Sequence, residues 1–134
     1  MKLRSTGETK LIYDVIRKIW VKLTPEEFVR QHVIHFLMEI KKVPASYINI
    51  ESSGNKLNKQ RTDIRIYNKL GGVWLVVECK SPTIEINNQT QIQATQYAHK
   101  YRADYMMLTN GVTIVYAHLN ERLYTQLLDI PNFS

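Results

Sequence analysis

The segment Val73-Trp-Leu-Val-Val-Glu-Cys79 constrains the fold more than any other stretch of this 134-residue chain. Its consecutive apolar residues leave no face for water, which is the pattern of a central strand covered on both sides. Such a strand predicts a sheet with neighbouring strands and with helices packed against it. Ser81-Pro82 ends it.

The flanking segments supply both. Thr24-Pro25-Glu26-Glu27 reads as an N-cap, a first-turn proline and a capping-box glutamate. Behind it Phe28, Val29, Val33, Phe36, Leu37 and Ile40 form one apolar helical face, with Glu27, Arg30, Gln31, His35 and Glu39 mostly elsewhere. Lys41 and Lys42 suit the helix C-terminus, and Pro44 stops it. Tyr47 to Glu51 alternates as a strand, and residues 52–60 form a polar, basic loop. Thr62 to Tyr67 alternates again, with Ile64 and Ile66 on one face and Asp63, Arg65 and Tyr67 on the other. A polar helix is predicted over 88–102, with Ile92, Ala94, Thr95, Ala98 and Tyr101 available to pack. Residues 105–109 and 112–116 flank Asn110-Gly111, a strong hairpin signal. Leu11, Ile12, Val15, Ile16, Ile19 and Trp20 recur at helical spacing and predict a short helix over 11–20, although the segment is rich in β-formers. The tail, 119–134, fits strand or helix. The sum is one α/β domain over 1–134, with a mixed sheet and no linker.

Charge bears on partners. The chain carries a formal net charge of +6 and a sequence pI near 9.5, a balance that favours an anionic partner, nucleic acid above all. The N-terminus is polar, without the apolar stretch of a signal peptide, and the longest apolar run is far too short for a membrane span. With a single cysteine, Cys79, no intrachain disulfide can form. A cytoplasmic protein is expected.

The residues that carry chemistry are Asp63, fifteen positions before Glu78, and then Cys79 and Lys80. On a strand Glu78 and Lys80 leave the same face, and Asp63 on the neighbouring strand can meet Glu78 across the ladder. Charges at the edge of an apolar sheet are costly unless paired. A divalent cation between the two carboxylates resolves this, and Mg²⁺, with Mn²⁺ as a substitute, prefers such oxygen ligands. The carbonyl of Cys79 offers a further ligand. Lys80 then stands beside a metal-activated water and a phosphate, where a cation offsets developing charge. The plainer reading is a salt bridge on a solvated sheet edge.

Four segments of the chain together resemble a known family. Arg61-Thr-Asp63, Val76-Val-Glu78-Cys-Lys80-Ser-Pro82, Gln93-Ala-Thr-Gln-Tyr97 and Leu108-Thr-Asn-Gly111 are similar to the N-terminal nuclease domain of type I restriction enzyme R subunits. That domain belongs to the PD-(D/E)xK phosphodiesterase superfamily. The resemblance runs from about Thr24 to Tyr116. It implies a restriction-endonuclease-like mixed sheet flanked by helices, metal ligands at Asp63 and Glu78, and a catalytic lysine at Lys80. It also implies a Gln-x-x-x-Tyr helix motif at Gln93 and Tyr97, an assisting acid on the first helix, best matched by Glu27, and DNA cleavage to a 3′-hydroxyl and a 5′-phosphate. Thr62 stands where the family name has proline. No Gly-x-x-x-x-Gly-Lys-Ser/Thr phosphate loop occurs in the chain, so an ATP-driven motor is not implied.

The supporting residues each carry two readings. Glu27 is either the capping-box acid or a catalytic support. Gln93 is either solvated or in touch with Lys80, water or phosphate; Tyr97 either packs or functions. Lys56, Lys59, Arg61 and Arg65 are either a solvated basic surface or contacts to DNA phosphates. Glu51 fits a surface role better than a third acid. Cys79 with His32, His35, His99 and His118 has no zinc spacing, and Cys79 should point into the core, away from Glu78. The expectation is a stand-alone, Mg²⁺-dependent deoxyribonuclease. The alternative is a module that kept the fold to bind nucleic acid or a protein partner without turnover. Cutting both strands of a duplex is simplest with a homodimer, and Leu123, Tyr124, Leu127, Leu128 and Ile130 offer an apolar tail for its interface.

Overall fold

The computed structural model describes residues 1–51 and 63–134. Among the described residues, two sheets, two α-helices and one short 3-10 helix (Ala45–Tyr47) make up the fold. A three-stranded antiparallel sheet comes first, β1 (Leu3–Thr6), β2 (Thr9–Asp14) and β3 (Ile19–Lys22) in that order. Helix α1 (Pro25–Glu39) follows. The second sheet has six strands in the order of the chain: β4 (Ile48–Ile50), β5 (Ile64–Tyr67), β6 (Val73–Cys79), β7 (Tyr105–Thr109), β8 (Ile114–Asn120) and β9 (Leu123–Leu127). Helix α2 (Asn88–Lys100) crosses between β6 and β7, which makes that pair parallel and every other pair antiparallel. The mixed α/β sheet expected from the sequence is therefore the observed one. No helix among the described residues is long and apolar enough to cross a membrane.

Strand β6 is covered on both sides, as its composition requires. Leu75, Val77 and Cys79 turn toward α1 and join a core with Val29, Val33, Leu37, Ile64, Ile66 and Met107. Val76 turns the other way, into a second cluster with Ala94 and Ala98 of α2 and with Met106 and Leu108 of β7. The α2 contacts are alanines, so that helix lies close to the sheet. Ile92, expected to pack, is exposed.

Helix α1 begins where its signal predicts: Thr24 Oγ1 accepts a hydrogen bond from Glu27 N at 3.0 Å, with Pro25 in the first turn. The capping box is not completed, because the Glu27 carboxylate turns to Arg17, Arg30 and Gln31 instead. Its buried face differs from the expected stripe. Phe28 and Ile40 are exposed, while Ile34, Gln31, Arg30 and Glu27 are buried. The polar residues go inward because the sheet beside them presents a carboxylate, Asp63, which Arg30 reaches.

The helix expected over 11–20 is a β-hairpin. Asp14 makes the turn: its Oδ1 accepts from Ile16 N and Arg17 N, both at 2.9 Å, and its carbonyl accepts from Lys18 N at 2.7 Å. Lys18 takes a φ of 57° to close it. The apparent helical spacing came from two strands and the turn between them.

The Asn110-Gly111 hairpin forms as predicted between β7 and β8, with β8 starting at Ile114. Asn110 Oδ1 accepts from Val112 N and Thr113 N, at 2.9 and 2.8 Å. Gly111 has a φ of +87°, and a Cβ there would come within 3.1 Å of Val29 Cγ2, so both conformation and the approach of α1 require glycine. The ambiguous tail forms strand β9 at one edge of the sheet, then an extended segment. Ile130 enters the core, Leu127 and Phe133 pack against it, and Tyr124 donates its hydroxyl to Ala103 O at 2.5 Å. Of the five apolar tail residues proposed for an interface, Leu123 and Leu128 are the ones left exposed.

Candidate active site

The end of β6 and the start of β5 bring the expected residues together. Ile64 pairs with Val77, so Asp63 lies opposite Glu78, and Asp63 N donates to Val77 O at 3.2 Å. Cys79 N donates to Asp63 Oδ2 at 2.7 Å. Glu78 and Lys80 leave the same face of the sheet, with Lys80 Nζ 3.9 Å from Glu78 Oε1. Cys79 points into the α1 core, 1% exposed. Burial, followed by the charge of Asp63, pushes its thiol well above the ordinary range, which leaves it no part as a thiolate nucleophile.

Glu78 is the unusual member. As a carboxylate it has no donor to its buried Oε2 among the described residues, and as a protonated carboxyl it shares a hydrogen bond with Asp63. Burial pushes its carboxyl up to about 9, and the Asp63 carboxylate adds to this while Lys80 opposes it. A buried carboxylate with an unpartnered oxygen is costly in a stable core. It is the donor that a hard cation would use.

Asp63 is held from two sides. Arg30 Nη2 of α1 meets Oδ1 at 2.5 Å while the Cys79 amide holds Oδ2. The same guanidinium reaches Glu27 Oε1 at 2.9 Å and Glu26 Oε1 at 3.0 Å. Burial alone would lower the pKa of Arg30, but Asp63 and Glu27 outweigh it and hold the group firmly charged. Arg17 continues the chain from Glu27, at 3.5 Å, to Asp14, at 2.6 Å. Acids and bases thus alternate from the turn of the small sheet to Asp63, the carboxylate at the start of β5.

The two glutamates that open α1 divide the work. Glu27, the acid matched from sequence, takes Arg17, Arg30 and a hydrogen bond from Gln31 at 3.1 Å. Glu26 is the one that feels the site: burial and then the Asp63 charge raise its carboxyl, while Arg30 and Lys80 lower it. Sequence reasoning passed over Glu26 and Arg30. The Glu26–Arg30 spacing of four was legible as a helical ion pair, but its direction toward Asp63 depends on how α1 lies on the sheet.

The remaining candidates separate. Tyr97 of α2 is half-buried beside the site; burial, then the charges of Glu78 and Asp63, raise its hydroxyl. Gln93, one turn earlier, is exposed. Arg65 shares the Asp63 face but is paired with Glu51, hydrogen-bonded to Tyr101 Oη at 2.6 Å and stacked 4.7 Å from that ring. A phosphate would have to compete with these partners. Glu51 is likewise spent on Arg65. Lys56, Lys59 and Arg61 lie outside the described residues.

Among the described residues no three His, Cys, Asp or Glu side chains gather into a metal-binding set. Two carboxylates suffice for Mg²⁺, which keeps several waters and commonly takes one or two protein carboxylates plus a substrate phosphate. The unpartnered Glu78 oxygen opposite Asp63 fits that kind of site.

Comparison with known proteins places the chain. The family described as type I restriction enzyme R protein N terminus matches residues 25–131, from the first residue of α1 to beyond β9, and the chain belongs to it. No curated protein and no solved structure matches.

Proposed function

We propose that this member of the type I restriction enzyme R protein N-terminal family is a Mg²⁺-dependent phosphodiesterase that hydrolyses DNA. The observation that carries the reading is Glu78: a buried group that as a carboxylate leaves one oxygen unpartnered, across the ladder from Asp63 and two residues before Lys80. A divalent cation bound there supplies Lewis-acid activation of phosphate and water. Asp63 and Glu78 would hold it, with the Cys79 carbonyl as a further donor.

The chain's own groups set up the rest. Arg30 and the Cys79 amide fix the Asp63 carboxylate, so it keeps one orientation without a bound partner. Lys80, with a side chain 29% exposed, stands at the mouth of the site, where its ammonium can meet a water or a phosphate oxygen. Glu26 and Tyr97 flank the same charges. Gln93, exposed on α2, is assigned to substrate or water contact, and Glu27 to holding Arg30 and Arg17. Arg61, Lys56, Lys59 and Arg65 are assigned to DNA phosphates, with Arg65 exchanging its present partners to do so.

Purified protein is expected to nick or degrade DNA with Mg²⁺ or Mn²⁺ and to lose this in EDTA. Ca²⁺ should bind with little cleavage, because its looser coordination acidifies water less, and ATP should have no effect. ATP-stimulated cleavage contradicts the reading. Double-strand cutting is assigned to a homodimer, with edge strand β9 and exposed Leu123 and Leu128 at the contact; light scattering that gives a monomer at tens of micromolar removes this part.

One observation favours a second reading. Both Asp63 oxygens already have partners, Arg30 on one and the Cys79 amide on the other. A module that binds DNA without turnover would keep that arrangement closed. Metal-dependent binding with no cleavage of duplex, single-stranded or branched DNA would select it.

A further inference from the structure

Residues 1–24 precede the family match and build the three-stranded sheet. Its register pairs Arg4 with Leu11, Leu11 with Lys22, and Tyr13 with Trp20, so these five side chains share one face. The fully buried Ile12 and Asp14 belong to the opposite face. On the first face Arg4 and Lys22 are exposed and Tyr13 and Trp20 half-buried. The rings meet edge-on at 5.3 Å. The Arg4 guanidinium lies 4.4 Å from the Trp20 ring, and Lys2 Nζ lies 5.6 Å from Tyr13. No acidic residue of the three strands lies on this face: Asp14 points the other way and Glu8 sits in the turn.

This combination selects its ligand. Cations alone would suit any polyanion. Rings held among cations suit an anion that also has flat faces to stack, and a guanidinium already laid on an indole is itself a stacking platform. A duplex offers phosphates but hides the faces of its bases. An acidic peptide offers charge and nothing to stack. A single strand offers both, and stacking on aromatic residues in a basic setting is how sequence-tolerant single-strand binders work.

We propose that the open face of β1–β3 is a binding surface for single-stranded DNA, with the Arg4–Trp20 stack and Tyr13 receiving bases and Lys2 and Lys22 receiving phosphates. The alternating chain Asp14–Arg17–Glu27–Arg30–Asp63 ties this sheet to the candidate active site. The surface rests on the nuclease reading only for its use, the presentation of a single strand to that site. The binding itself is independent of metal.

The chain has two tryptophans, Trp20 and Trp74. Full-length protein carrying Trp74→Phe therefore reports on Trp20 alone. In EDTA, an oligo(dT) of about 20 nucleotides is expected to quench this fluorescence, with an affinity that falls steeply between about 50 and 200 mM salt. Anisotropy of a labelled oligo(dT) should show Trp20→Leu weakening binding about tenfold, while a duplex of equal length binds more weakly and without quenching. Unchanged affinity for a folded Trp20→Leu protein overturns the proposal, as does equal quenching by duplex DNA or polyglutamate. If circular dichroism shows Trp20→Leu unfolded, Arg4→Glu and Lys22→Glu take its place at exposed positions, and unchanged affinity in both overturns it. Cleavage is scored separately with Mg²⁺. Quenching without cleavage supports the surface and counts against the nuclease reading alone; cleavage with no effect of these substitutions on binding counts against the surface alone.

Discussion

The two sheets of this protein are built from similar residues and obey different rules. In the six-stranded sheet, α1 and α2 cover both faces of β6, and Trp74 to Val77 are all buried. In the three-stranded sheet one face is open, and Ile12 and Asp14 are its fully buried side chains. A charge in the covered sheet has to be explained, because solvent cannot neutralise it; Asp63 and Glu78 are explained by ion pairing and by the chemistry proposed for them. A charge on the open face needs no such explanation, and only its company, two aromatic rings and no acid, gives it meaning.

The comparison can be broken most severely at Arg30, the link of the ion-pair chain that ties α1 to Asp63 of the covered sheet. Arg30→Ala leaves Asp63, Glu26 and Glu27 without their shared cation, and breaking a buried pair from one side costs about 3–5 kcal/mol. Urea denaturation should show that loss; a change under about 1 kcal/mol would mean that water, not Arg30, compensates the carboxylates.

A matched pair of truncations sharpens it next. Leu75, fully buried in β6, should lose about 2–5 kcal/mol as Leu75→Ala. Leu3, 60% exposed in β1, should stay within about 0.5 kcal/mol as Leu3→Ala. Equal losses from the same denaturation experiment would mean that the Leu3 edge, on the Ile12 side of the small sheet, is covered in solution.

The smallest effect concerns acid. Burial pushes the Asp14 carboxyl up, but the Arg17 amide and guanidinium and the Ile16 amide outweigh it and hold it below its ordinary value. A depressed folded pKa gives stability that is complete above the unfolded value near about 3.9 and fades as pH falls through the folded one. Wild-type protein should therefore lose melting temperature below about pH 4. Asp14→Asn should start about 1 kcal/mol lower at neutral pH and show a flatter acid limb. Parallel acid limbs would remove Asp14 from the account.

The same contrast explains what the sequence made legible. Where both faces are buried, identity and position are tightly bound, so β6, the Asp63–Glu78 register and the inward Cys79 could be read directly. The open sheet dilutes its pattern: Leu11, Ile12, Val15, Ile16, Ile19 and Trp20 look helical in spacing, and only Asp14, a strong turn former, marked the hairpin. Arg30 and Glu26 escaped for a different reason. They look like the solvent side of an amphipathic helix until Asp63, more than thirty residues away in the chain, gives them a reason to be buried. Which of two adjacent glutamates turns toward that site depends on the docking angle of α1, which local sequence does not encode.

The central claim is that Asp63 and Glu78 hold a catalytic cation and that Lys80 acts on the reaction. Calorimetric Mn²⁺ affinity, with cleavage and melting temperature measured alongside, tests it at two residues. Lys80→Ala should abolish cleavage with the fold intact and Mn²⁺ held as tightly or more tightly, since one opposing positive charge is gone. Asp63→Asn should weaken Mn²⁺ binding itself. If both substitutions instead shift stability by the same small amount, about 0–1 kcal/mol, and leave Mn²⁺ binding unchanged, the pair is an ordinary salt bridge and the active-site assignment is wrong.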